Sequence, residues 1–259
     1  LAQSPIPPGI FGYQDGKIEY NKTVFKKNNG QIEKRSIEDA KKLLLKAGYD
    51  NGIDKKTGKP LILYFEATGA GADTYAFLNW LRKQFKKINI QLVTRVTDYN
   101  RFQEKMINGT GQIFQWGWNA DYPDPENFLF LLYSKNGKVK FGGENASNYE
   151  SKPFDKLFKQ MKNMKNSPKR GEIIKEMLKI VQSDSPWIWG FHPKSFSLSH
   201  GWVENTESNL MANNTLKYKE ISYRKRSENI KLWNKPNFNL LYFLFILIFT
   251  ILISVLLMI

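Results

Sequence analysis

Residues 115–132 read QWGWNADYPDPENFLFLL: two tryptophans, a tyrosine and two aspartates within ten residues, then an apolar run. Asp124 stands directly before Pro125 and Glu126. That order predicts a helix start, with Asp at the N-cap, Pro at the first helical position where its missing N–H does no harm, and an acid in the first turn. Asp121 has no such local role. It follows residues 113–118, an apolar run ending in two indoles that predicts a strand, so its carboxylate falls near that strand's C-terminal end. A carboxylate beside exposed indoles suits a ligand carrying a positive nitrogen. An Asx turn feeding the helix accounts for the same residues. Ligands of open α/β sheets sit beyond the carboxyl ends of strands, which adds weight to the first reading.

Upstream, residues 1–35 carry Pro5, Pro7, Pro8 and several glycines and asparagines, and read as irregular. Ser36 with Asp39 predicts a capped helix whose apolar positions are Ile37, Ala40, Leu43, Leu44 and Ala47, stopped by Gly48. Residues 61–67 (LILYFEA) predict a buried strand, 72–87 a helix with Phe77, Trp80, Leu81, Phe85 and Ile88 on one face, and 90–96 another strand. Strand, helix and strand with short joints form a βαβ unit, which places the two strands parallel. The glycines at 69 and 71 lack the lysine of a phosphate loop and read as turn chemistry. Asp98 predicts the cap of a short helix bearing Tyr99, Phe102 and Met106.

Downstream, Pro153 and Pro168 read as helix starts. The first helix carries a Phe154, Leu157, Phe158, Met161 stripe and the second Ile173, Ile174, Met177, Leu178 and Val181, both at core spacing. Residues 186–191 (PWIWGF) predict a strong strand and 217–221 a weaker one.

Composition excludes several classes. The chain has 259 residues and a formal net charge of +15, but its lysines are spread among acids and asparagines, with no arginine-rich block and no nucleic-acid motif. No nucleic-acid partner is expected. No cysteine is present, which removes disulfides, thiolate metal sites and cysteine nucleophiles. The two histidines, His192 and His200, are not at metal-ligand spacing. No cofactor or metal is expected, and no catalytic set stands out. Asp121 with Asp124 or Glu126 leaves a carboxylate-pair glycoside hydrolase as a remote alternative.

The segment GWNADYPDPENFL at 117–129 resembles the signature of the family 5 extracellular solute-binding proteins, the dipeptide and oligopeptide receptors of ABC importers, with nickel, haem and oligosaccharide binders as relatives. The proline-rich PIPPGIFGY at 5–13 and DAKKLLLKAGY at 39–49 are similar to two further family segments, and the likeness runs to about residue 226. The resemblance implies a two-lobed, type II periplasmic-binding-protein-like α/β fold that closes on its ligand about a hinge. Residues 1–186 would be the second lobe, in part. Residues 187–226 would be the hinge strand and return to the first lobe, with Trp187 and Trp189 lining the cleft or covering the sheet. It also implies that Asp121 holds a peptide's α-ammonium while Trp118 lines a side-chain pocket. Gln115 stands where some of these binders place an arginine, so a carboxylate-docking charge is missing there. The ligand-binding candidates are Asp121, Trp118, Trp116, Tyr122, Asn119 and Gln115. The implied partners are a short peptide and the importer's permease subunits. Another solute, such as a metal chelate, haem or oligosaccharide, is the alternative.

The chain starts at Leu1 with no charged and then apolar leader, which leads to the expectation of a fragment of a longer receptor. Residues 238–259 carry no charge, and 22 residues span about 33 Å as a helix. They are expected to form a transmembrane helix behind a basic juxtamembrane linker, 227–237, anchoring the receptor on the periplasmic side of the bacterial inner membrane. Arg224, Lys225, Arg226, Lys231 and Lys235 oppose that orientation under the positive-inside rule.

Overall fold

The computed structural model describes residues 2–13, 22, 24–69, 71–194, 196–207, 214–236 and 239–256. The chain divides into two compact units, residues 1–193 and 194–259.

The first unit opens with the proline-rich segment, whose Ile6 is fully buried. A hairpin of β1 (Phe25–Asn28) and β2 (Gln31–Lys34) follows. In α1 (Ile37–Lys46) the reciprocal Ser36–Asp39 capping box forms as the sequence predicts. A second small hairpin joins β3 (Tyr49–Asp50) to β4 (Ile53–Asp54). Gly52 at its turn has φ +78°, and a Cβ there would lie 2.0 Å from the Asn89 carbonyl oxygen, so only glycine fits.

The βαβ unit comes next. β5 (Ile62–Thr68), α2 (Ala72–Lys86) and β6 (Gln91–Thr97) place the two strands parallel, with Phe65 opposite Thr94. α3 (Tyr99–Ile107), capped by Asp98, leads to β7 (Ile113–Phe114) on the other edge of β5. The sheet order is β6-β5-β7, all parallel. Alternation along β5 separates its two faces. Phe65 packs with Leu78 and Leu92 in a small core against α2. The next residue, Glu66, is 1% exposed on the opposite face, ion-paired with Lys105 of α3 and Arg95 of β6. The predicted apolar face of α2 is thus corrected. Leu78, Leu81 and Phe85 face inward, whereas Trp80 is more than half exposed and stacks on Phe77.

The second layer of this unit is helical. α4 (Glu126–Leu129) runs into a 3-10 turn at Phe130–Leu132, and α5 (Lys138–Phe141) follows. α6 (Lys152–Met161) and α7 (Pro168–Asp184) then pack on each other. Phe154, Phe158 and Met161 from α6 meet Ile174, Met177, Leu178 and Val181 from α7 around Phe128, Leu129 and Leu132. Both predicted stripes are core.

Three expected strands do not form in full, the weaker one at 217–221 being a strand only over Glu220–Ile221 after a 3-10 turn at Thr215–Tyr218. β7 stops at Phe114 instead of reaching Trp118. Residues 186–191 alternate as a strand would, with Trp187 and Trp189 packed on the helical core and Ile188 exposed, but no described strand pairs with them.

The second unit holds β8 (Val203–Glu204) paired with β9 (Glu220–Ile221), then α8 (Tyr223–Trp233) and α9 (Asn239–Leu256). His200 stacks on Trp202, and Trp233 lies tilted against both, as its aromatic centre. The expected transmembrane helix over 238–259 is corrected here. Among the described residues no helix is long and apolar enough to cross a membrane. α9 is described over 18 residues, about 27 Å at 1.5 Å per residue, against a hydrocarbon core of about 30 Å. Residues 238 and 257–259 of that expectation lie outside the described residues. Thr250 and Ser254 return their hydroxyls to carbonyls of their own helix. The expected linker at 227–237 is largely the C-terminal half of α8.

Candidate functional site

The site is built on the irregular segment from Gln115 to Pro125, between the end of β7 and the start of α4. Its two ends are fixed differently. At the β7 end, Trp116 sets its ring edge-on to Phe102, centroids 5.4 Å apart, and Lys138 lies 5.5 Å over that ring. At the α4 end, the Asp124 carboxylate accepts from the Glu126 N–H at 2.8 Å, but the helix starts one residue later than the sequence predicts, with Pro125 and not Asp124 at the N-cap.

Asp124 has a second and larger partner. Arg170 of α7 is 2% exposed and grips the Asp124 carboxylate with both terminal nitrogens, at 2.8 and 2.6 Å. Its remaining donors reach the Asn166 side chain and the Met161 carbonyl. Burial pushes the Asp124 carboxyl up, but the Arg170 hydrogen bonds, the Glu126 N–H and the Arg170 charge outweigh it and hold the group below its ordinary 3.8.

Within the segment, one buried side chain ties two candidates together. Asn127 is 3% exposed, and its Oδ1 accepts from Trp118 Nε1 at 3.1 Å and from the Asp121 backbone N–H at 2.9 Å. Trp118 is half-buried, edge-on to Phe130 at 5.4 Å. The Asp121 carboxylate is exposed and has no hydrogen-bond or ion-pair partner among the described residues. Tyr122 donates its hydroxyl to Glu126, and that bond holds the phenol above its ordinary 10. Asn119 is exposed.

Gln115 belongs to a separate hollow. With Phe65, Ala67, Thr68, Asp73, Thr74, Phe77 and Leu78 it lines a cleft of about 330 Å³ at the C-terminal ends of β5 and β7, beside the start of α2. This is where an open parallel sheet receives ligands. None of Trp116, Trp118, Asn119, Asp121 or Tyr122 lines that cleft. A larger hollow of about 490 Å³ is walled only by α6 residues such as Lys152, Asp155 and Lys159, with no facing element, so it is one side of a helix and not a site.

The structure therefore groups Trp118, Asp121 and Asn127, pairs Tyr122 with Glu126, and leaves Gln115 in its own cleft. Sequence reasoning missed Asn127 and Arg170. Asn127 sits three residues past Asp124 in the signature segment itself, while Arg170 is the charged member of the otherwise apolar buried stripe of α7. Of the carboxylates the glycosidase alternative needs beside Asp121, Asp124 is ion-paired with Arg170 and Glu126 accepts the Tyr122 hydroxyl. Among the described residues no three His, Cys, Asp or Glu side chains converge as metal ligands.

A parallel sheet with a cleft at its carboxyl ends, and beside it an aromatic loop presenting a free carboxylate, has the layout of a solute-binding site. The chain belongs to the bacterial extracellular solute-binding proteins, family 5: residues 1–140 match that family's middle region. It is similar to Heme-binding protein A of Haemophilus influenzae, 26% identical over 197 residues, covering 76% of this chain and 32% of the relative. It is similar also to the oligopeptide-binding protein OppA of Bacillus subtilis, 28% identical over 186 residues, covering 71% of this chain and 31% of the relative. Among solved structures, the ABC transporter-associated periplasmic binding protein DppA from Helicobacter pylori, in complex with the peptide STSA, matches with a TM-score of 0.55 and 25% identity. That match covers 71% of this chain and 31% of DppA. The chain thus spans about a third of the length of the curated relatives it matches.

Proposed function

We propose that the chain is the ligand-reading part of an extracytoplasmic ABC-importer receptor for short peptides, with Asp121 holding the peptide's amino terminus and Trp118 walling the first side chain. The observation that carries this reading is the free Asp121 carboxylate. It is exposed and has no partner among the described residues, while its own backbone N–H is pinned by Asn127 and the neighbouring carboxylates Asp124 and Glu126 are already engaged. A carboxylate whose backbone is pinned in the same loop as an indole suits an ammonium group, and a charge-assisted hydrogen bond of this kind is worth roughly 1.5–3 kcal/mol. Relatives named for oligopeptide binding, and a neighbour holding the peptide STSA, support the same substrate class. On this reading the cleft at Gln115 takes a later part of the peptide, where an uncharged amide meets backbone groups. Trp116, Asn119 and Tyr122 complete the rim. Residues 1–186 act as one lobe and 187–226 as the hinge strand and return, and the permease subunits of the importer are the docking partner.

The surface of α9 supports a contact with lipid. Apart from Asn239, Thr250 and Ser254 its described side chains are apolar or aromatic and exposed, and a helix of that kind needs an apolar surround on its whole circumference, which a single groove would not supply. On this reading α9 holds the receptor at the bilayer without the described helix having to cross it.

The substrate reading is tested by melting the protein against tripeptides, maltotriose, haemin and nickel–histidine. Stability rises by RT ln(1 + [L]/Kd), so a micromolar ligand at millimolar concentration adds about 4 kcal/mol. A shift with tripeptides alone is expected. A shift with haemin or nickel–histidine and none with peptides would keep the fold and replace the substrate.

A further inference from the structure

Trp118 and Asp121 are three residues apart in an irregular loop, with nothing in the backbone to hold them in register. Both are tied to one atom, and Trp118 also packs edge-on against Phe130. Asn127 Oδ1 receives the Trp118 indole N–H at 3.1 Å and the Asp121 backbone N–H at 2.9 Å, and a carbonyl oxygen has the two lone pairs this needs. Asn127 is itself fixed. It is 3% exposed, its backbone N–H bonds the Asp124 carbonyl at 3.1 Å, and Asp124 is gripped by the buried Arg170. The Asp121 backbone and the indole wall are thus tied to each other through this atom, and through Asn127 to the helical core.

We infer that Asn127 is a positioning residue that sets the distance between the ammonium anchor and the side-chain wall, and thereby makes the site selective for peptides whose amine lies on the α-carbon. The inference rests on the peptide reading above and sharpens its substrate class. A ligand with a β-amine has one more methylene between its charge and its first side chain. It then has to give up either the carboxylate or the indole when those two are held at fixed separation. A loose loop would adjust and accept both.

The test uses the full chain with trialanine and β-alanyl-dialanine, titrated calorimetrically against wild type, Asn127→Leu and Asn127→Asp. Wild type is expected to prefer trialanine by about tenfold or more, the ratio carried by one charge-assisted contact at about 1.4 kcal/mol per decade. Asn127→Leu removes the shared acceptor and is expected to bring the ratio near one. Asn127→Asp keeps an acceptor oxygen at that place and is expected to retain the preference. A purely structural role would weaken both peptides alike and leave the ratio unchanged, which would overturn the inference, as would a wild-type ratio near one. Absence of trialanine binding in wild type would instead defeat the peptide reading, and this inference with it. A measurement on wild type alone guards against a variant that does not fold: the Asp121 amide, although in an exposed loop, is expected to exchange with solvent at least tenfold more slowly than that of Asn119. Equal exchange would show that Asn127 does not hold the loop.

Discussion

Removing the Arg170 guanidinium by Arg170→Met is the sharpest stability test of how the loop is held. The substitution leaves an unbranched apolar side chain where α7 meets α6, and it breaks both bonds to Asp124 together with those to Asn166 and Met161. Breaking a buried ion pair by deleting one partner costs about 3–5 kcal/mol, because the other charge is left uncompensated. Here the abandoned carboxylate is 31% exposed at its side chain, so water compensates part of its charge and the expected loss is near the lower limit, about 3 kcal/mol. The converse substitution, Asp124→Asn, strands an arginine that is 2% exposed and cannot lose its proton, so it is expected to cost at least as much. Urea unfolding of the two single variants and the double variant reads this directly. A coupling of about 2 kcal/mol or more is expected, and additivity within about 0.5 kcal/mol would refute the reasoning. Acid unfolding supplies an independent check. The Asp124 carboxyl is depressed in the folded state, so its contribution is fully present above the unfolded value of 3.8 and is lost as pH falls through the lower folded value. Wild type should therefore lose stability more steeply below about pH 4 than Arg170→Met, in which the depression is gone.

Two further outcomes follow from the packing. Leu78→Ala on the buried face of α2 is expected to cost about 2–5 kcal/mol, whereas Trp80→Gln on its exposed face should stay within about 1 kcal/mol by chemical denaturation; reversed magnitudes would restore the face expected from sequence. For α9, flotation with phosphatidylglycerol vesicles is expected to carry the full chain upward and to leave a chain ending at residue 236 at the bottom. Equal behaviour of the two would rule out α9 as the lipid contact.

The parts of this fold that were legible in the sequence are those fixed by local chemistry. Ser36–Asp39 and Asp98 cap their helices because a short polar side chain before an apolar periodic run has few other uses. The β5–α2–β6 unit follows from strand-length apolar runs and short joints. What was not legible depends on partners distant in the chain. Trp80 was placed inward because it falls on the same helical stripe as Leu81, yet the sheet presents its small core to Leu78 instead. Residues 186–191 have the alternation of a strand, but alternation does not supply a ladder partner. At the site, a local role for Asp124 beside Pro125 and Glu126 was legible from its neighbours, though the helix itself begins at Glu126. Asn127 was not separable from the apolar run around it, and Arg170 lies 46 residues from its carboxylate, beyond the reach of any local rule.

The central claim, that Asp121 anchors a peptide amine, is tested most directly by calorimetric titration of trialanine and N-acetyl-trialanine against wild type and Asp121→Asn. The account predicts that acetylation weakens wild-type binding by roughly tenfold or more, the worth of a charge-assisted hydrogen bond. It predicts also that Asp121→Asn binds both peptides with nearly the same, lower affinity. Tight binding of the acetylated peptide to wild type, or a full acetylation penalty persisting in Asp121→Asn, would contradict it.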